Sequence, residues 1–229
     1  MAGEQPPVSV SRAGGYTTLI GVVLLLAATM LHPMEAQPND SAAAFAEYAA
    51  DGFWVATHLA QLAGTALITG GLLTLSWKLR AGRAGAWAVL AGAAAVAAFA
   101  STGTLQAVDG IALKSAVDRL ASAPVESRAA AFEAAVAVRA IEVGLASIAA
   151  MLFGLAVLLY GIALEVDGAT PKWLCVFGIA AGAVTFASGV GMAYGGFSST
   201  AMTVSMSSTV LAITWCVCVG VRLLRDSRV

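Results

Sequence analysis

The chain has 229 residues, 59% hydrophobic and 11% charged, with a net charge of -1 and a mean hydropathy of +0.86. Soluble domains carry about 25% charged residues, so this composition excludes an ordinary soluble enzyme and points to an all-α integral membrane protein. No basic stripe marks a nucleic-acid surface, and the polar segments are too short for a separate soluble domain, so residues 1–229 read as one membrane domain.

A membrane-crossing helix needs roughly 20 apolar residues. Six stretches approach or exceed that length, at about 16–32, 54–77, 85–108, 141–164, 173–196 and 200–222. The first is the shortest, and Arg12 ahead of the apolar run 17–31 has the outline of a signal peptide. His32-Pro33-Met34-Glu35 stands where a small-residue cleavage site would lie, so the segment reads as a span that Pro33 stops. The connection 33–53 contains a short predicted helix over 41–51, capped by Asp40 or Ser41 and ended by Gly52, with Phe45 and Tyr48 on one side. Loop 78–84 carries Lys78, Arg80 and Arg83. A second long connection, 109–127, holds an amphipathic piece at 111–120, and a loop turn at Asp109-Gly110 is the structural alternative to a functional Asp109. Span four extends outward as a helix from about residue 127, and loop 165–172 follows it. Spans five and six carry only hydroxyls, Tyr194 and methionines, and read as packing elements. Gly178 with Gly182, and Gly191 with Gly195, form small-x-x-x-small pairs that allow close helix approach. Cys175, Cys216 and Cys218 lie in apolar runs and read as small core residues.

Direction follows from Lys and Arg. With the N-terminus cytoplasmic, the inner side holds Arg12, Lys78, Arg80, Arg83, Lys172, Arg222, Arg225 and Arg228, eight of the twelve basic residues. Both termini are then expected in the cytoplasm, with connections 33–53 and 109–127 outside a cell (plasma) membrane.

Four of the spans carry polar side chains near one end. They are His32; His58 with Gln61, continued inward by Thr65; Gln106 with Asp109; and Arg139 with Glu142. The last three sets are spaced i, i+3 and so occupy one helix face each. With alternating topology all four land near the outer side, where groups so costly against lipid are expected to face inward. His58, Asp109, Glu142 and Arg139 are the candidate catalytic residues; His32, Gln61, Gln106 and Thr65 are the candidate ligand contacts. The imidazoles suit proton transfer. His32 and His58 with Glu142 also make a plausible metal set, and two histidines on different helices suit the axial positions of a single haem b. Structural readings stand beside these: His32 as a helix-end group, Arg139 and Glu142 as an ion pair, the glutamines as interhelical hydrogen bonds. The two halves of the chain do not resemble each other, which argues against an inverted-repeat transporter.

The segment Gln106-Ala-Val-Asp-Gly-Ile-Ala-Leu-Lys114, then Ala123-Pro124 and the Arg139-x-x-Glu142 pair, resembles an uncharacterised, actinobacterial-type family of six-span bacterial membrane proteins. The resemblance implies the architecture and transfers no activity. The residues themselves point to a polar pocket that binds or converts a small lipophilic or amphipathic molecule by acid/base or metal-assisted chemistry. A single-haem or metal redox protein, a proton-coupled transporter and a structural subunit are the alternatives, and whether the protein is an enzyme stays open.

Overall fold

The computed structural model describes residues 8–225, which are helical apart from short connections. In chain order the elements are α1 (Val8–Leu31), α2 (Ser41–Ala50), α3 (Trp54–Leu79), α4 (Gly85–Gln106), a π-helical segment (Ala107–Leu113), α5 (Lys114–Ser122), α6 (Val125–Asp167), α7 (Lys172–Gly195) and α8 (Ser199–Arg225). Six helical stretches are long and apolar enough to cross a membrane: α1, α3, α4 with its continuation, α6, α7 and α8. The six-span, multi-pass reading agrees with this.

Local chemistry sets the boundaries. Asp40 caps α2 by accepting from the Ala43 N–H at 3.1 Å. Pro124 and Pro171 precede the first turns of α6 and α7, where a missing N–H costs nothing. Gly168 closes α6 with φ 78°, a left-handed conformation that glycine adopts without strain. Glu47 on α2 accepts from the N–H groups of Glu35 and Ala36 at 2.9 and 3.0 Å, tying the connection after Pro33 to that helix. Lys114 donates to the carbonyls of Tyr48 and Ala49 at 3.1 and 2.9 Å and pairs with Asp118 at 2.8 Å. A cation at the C-terminus of α2 suits the helix dipole.

The connection expected over 109–127 is instead helical almost throughout. Asp109-Gly110 forms no turn; it lies inside the π segment that continues α4 into α5. The only break there is at 123–124, before α6. Helix α6 has 43 residues, about 65 Å of helix. A hydrocarbon core is about 30 Å thick, so α6 projects well beyond it. Its projecting part packs with α2 and α5 around a second small core of Ala44, Phe45, Tyr48, Trp54, Leu113, Val117 and Ala135. These elements cap one end of the bundle.

The main core lies among the spanning helices. α6 packs chiefly on α7 and α4, and α1 on α3 and α8. Tyr160 of α6 donates to the Leu72 carbonyl at 2.8 Å and meets Ser76 Oγ at 2.7 Å, while Ser76 also reaches the Ala88 carbonyl at 2.9 Å. This joins α6, α3 and α4 toward the uncapped end of the bundle. The α6–α7 contact runs over glycines: a Cβ at Gly182 would collide with the Leu158 backbone, and one at Gly154 with that of Phe186. Gly178 faces Trp215 of α8. Of the two glycine pairs, 178/182 therefore serves close approach within the bundle. Gly191 has nothing within 4 Å of a built Cβ, and Gly195 has only Ser198 Oγ at 3.4 Å.

The Gly182→Val variant is expected to lose roughly 1–3 kcal/mol by overpacking, whereas Gly191→Ala should be neutral or slightly stabilising. Thermal unfolding of the two variants in one detergent checks the contrast.

Candidate functional site

The polar residues singled out in the sequence lie at the capped end, apart from Thr65, which sits deeper along α3. Trp54, the first residue of α3, organises them. Its ring is 1% exposed and lies against three others: Tyr48 at 4.3 Å, His58 at 4.6 Å and His32 at 4.7 Å between centroids. Its carbonyl accepts from His58 Nδ1 at 2.7 Å, and its indole N–H donates to the Asp109 carbonyl at 3.0 Å. Trp54 thus fixes the His58 ring and the π segment together. The π geometry brings the backbone against α3: a Cβ on Gly110 would stand 2.5 Å from that of His58. Single-turn π distortions of this kind occur frequently at functional sites.

His58, 2% exposed, meets Asp109 Oδ2 through Nε2 at 3.0 Å. A carbonyl only accepts, so the bond to Trp54 puts a hydrogen on Nδ1. His32 is set up the same way: its Nδ1 donates to the Pro33 carbonyl at 2.8 Å. Both imidazoles therefore have Nε2 as the nitrogen left for chemistry. The two rings stand 5.2 Å apart, edge to face. One ligand atom from each of His32, His58 and Asp109 lies within 4.8 Å of the others. Asp109 Oδ1 is buried and unpartnered, and so is Gln106 Oε1.

Arg139 and Glu142 form a separate unit beside this cluster. Arg139 Nη1 donates to both carboxylate oxygens at 3.0 and 2.9 Å. Its Nη2 reaches Tyr48 Oη at 3.2 Å and the Pro38 carbonyl at 3.4 Å. The guanidinium also lies over the rings of Phe197 and Tyr48, at 4.7 and 5.4 Å from their centroids. Burial raises the Tyr48 phenol above its ordinary pKa, against the opposing pull of Arg139, so the ring stays a neutral acceptor for that donor. A third unit links helices: Gln106 Nε2 donates to Gln61 Oε1 at 3.3 Å, and Gln61 Nε2 to Thr29 Oγ1 at 3.4 Å. Thr65 bonds back to its own helix, to the carbonyls of Gln61 and Leu62.

Two cavities meet here. One of about 490 Å³ is lined by His32, Tyr48, Gln106, Asp109, Arg139 and Glu142 among others. A second of about 300 Å³ lies deeper between apolar walls that include Leu25, Phe99, Phe153 and Ile213, with Thr65 on its lining. Thr29, Gln61, Leu105, Gln106 and Ala146 border both.

The geometry alters three readings of the sequence. The metal set of His32, His58 and Glu142 is not the one assembled: Asp109 completes the cluster, while Arg139 holds Glu142. A haem between His32 and His58 does not fit, because rings 5.2 Å apart and both laid against Trp54 leave no slot for a porphyrin plane. Span six is more than packing, since Ser199, Met202, Thr203 and Met206 of α8 line the polar cavity, and Phe197 in the turn before it covers Arg139. Sequence reasoning missed Trp54 and Phe197 as site residues. The position of Trp54 one turn before His58 was the available signal; for Phe197, distant in the chain, there was none. No family model matches this chain, and no curated protein or solved structure matches it either.

The Arg139→Met variant strands a buried carboxylate and is expected to cost roughly 3 kcal/mol, while Arg139→Met with Glu142→Leu should recover most of it. Denaturant titration of the single and double variants measures the difference.

Proposed function

We propose that the capped end binds a small amphipathic molecule drawn from the bilayer, with its polar head among His32, Asp109 and Gln106 and its apolar body in the deeper cavity. The observation that carries this reading is the junction of a polar and an apolar cavity across one border of Thr29, Gln61, Leu105, Gln106 and Ala146. Both volumes fall in the range of small-molecule sites or just at its lower edge. The head is one that donates hydrogen bonds, a hydroxyl or amino group. Buried acceptors at Gln106 Oε1 and Asp109 Oδ1 lack partners, and an unmet buried acceptor is costly. A bare anion gains less support, because the donors of Arg139 are engaged by Glu142, Tyr48 and Pro38. A transport path draws no support from the lining, which becomes apolar below Thr65 and Thr69.

The orientation we propose has both termini in the cytoplasm of a bacterial cell and the cap outside its cell membrane. Among the described residues, Arg12, Lys78, Arg80, Arg83, Lys172, Arg222 and Arg225 flank the uncapped end, against Lys114, Arg119, Arg128 and Arg139 at the cap. The excess of basic residues supports that direction.

Ala146 lines the border, so Ala146→Phe should close it. A long-chain alcohol bearing a diazirine is expected to label the wild-type cavity helices and to lose most of that labelling in Ala146→Phe and in Gln106→Leu. Equal labelling of all three folded proteins would end this reading. For orientation, a membrane-impermeant maleimide should label a lone cysteine at Ser122 in intact cells and one at Gly82 only after lysis, in a background with Cys175, Cys216 and Cys218 replaced by alanine.

A further inference from the structure

The acceptors at the Trp54 junction outnumber the donors. His32 and His58 each commit their Nδ1 hydrogen to a backbone carbonyl. Neutral rings then carry a lone pair on each Nε2, and that of His58 points at a carboxylate oxygen 3.0 Å away. Two lone pairs do not approach so closely without a positive species between them. A proton on His58 would serve that one contact. It would give the neighbouring His32 Nε2, whose ring stands 5.2 Å from that of His58, nothing.

A metal ion serves the His58–Asp109 contact and the His32 lone pair together. We infer that His32, His58 and Asp109 form a binding site for a divalent first-row transition metal of the zinc or iron(II) type. Two imidazoles and a carboxylate are the donor set such ions take, commonly with one or more positions left open. Imidazole ligands nearly always fix their second nitrogen by donating to a carbonyl or carboxylate, which orients the ring and settles the tautomer. Both rings here are fixed in that way before any ion arrives. Ligands about 2.1 Å from a tetrahedral ion stand about 3.4 Å apart. His58 Nε2 and Asp109 Oδ2 are already near that spacing, and all three ligand atoms lie within 4.8 Å of one another, so small side-chain movements close the site. Trp54 holds the set from behind, through its stacking on both rings and its bond to the Asp109 carbonyl. His32 and Asp109 also line the polar cavity, so an open coordination position would face that space. Asp109 sits on the π segment, whose extra residue per turn turns its carboxylate toward His58. The ion does not depend on the amphipathic ligand: it binds on the imidazole side of Asp109 whether or not the deeper cavity takes an alcohol.

The test uses the full chain in detergent, stripped with a chelator and titrated with zinc(II) or cobalt(II) alone. One zinc ion per chain is expected, with nitrogen and oxygen neighbours and imidazole scattering in the zinc absorption-edge spectrum. Cobalt(II) should produce visible absorption bands of a four- or five-coordinate site, displaced by zinc. Asp109→Asn is nearly isosteric and spares the carbonyl that Trp54 holds, and His32→Ala changes a residue at a helix end. Each should weaken zinc binding by roughly 100-fold or more, while Asp118→Asn, at an exposed carboxylate, leaves it unchanged. Monodisperse elution and wild-type helicity establish that the variants are folded. Zinc binding no tighter in the wild type than in folded Asp109→Asn and His32→Ala would overturn the inference, and so would a wild-type site lacking imidazole scattering. Because the readout is metal alone, failure here leaves the diazirine-alcohol result standing, and the reverse.

Discussion

The capped end depends on the contact between the start of α3 and the π segment that follows α4. Trp54 supplies a carbonyl to one partner, an indole N–H to the other and a ring surface to His32 and Tyr48. Buried polar atoms in a bilayer-depth environment must find partners within the protein. Here the partners are His58 and Asp109 themselves, so the requirement that satisfies these groups also fixes the imidazole against the carboxylate. Gly110 is what permits it, since any side chain there would displace His58. The π geometry over 107–113 shifts the residues it carries by a fraction of a turn relative to a straight α-helix.

Around that junction the protein separates charge from donor-acceptor imbalance. Arg139 and Glu142 neutralise one another almost completely buried, with Tyr48, Phe197 and Pro38 completing the shell of the guanidinium. A buried pair satisfied to that degree is stable as a unit and costly to divide. The imidazole and carboxylate cluster next to it stays short of positive partners. The two units differ although both are built from ionisable residues on helix faces. In one the charges are paired with each other, and in the other a carboxylate oxygen stays without a partner.

The spans, their number and the polar ends of four of them were legible in the sequence. Apolar length is a local property, set by the thickness of the bilayer, and i, i+3 spacing assigns residues to a face without knowledge of the neighbours. The helix over 41–51 was legible for the same reason, through its cap at Asp40. The connection 109–127 was drawn as a loop because apolar length ends near residue 108, and Asp109-Gly110 admits a turn as one reading. Within a packed bundle the glycine serves close approach to α3 instead, and the chain stays helical. The part of α8 and the turn before it were misread because methionine, serine and threonine look the same whether they fill a core or line a cavity.

The sequence by itself determined an all-α chain of six spans with its ionisable side chains gathered toward one end, because hydropathy and helical periodicity act over short stretches. Tertiary structure alone decided which carboxylate meets which partner. Asp109 and Glu142 are equivalent in composition and comparable in depth. The π offset after Gln106 sends Asp109 to the imidazoles, while three residues of helix place Glu142 under Arg139. That choice rests on the relative rotation and separation of helices that are far apart in the chain, and no local pattern records it.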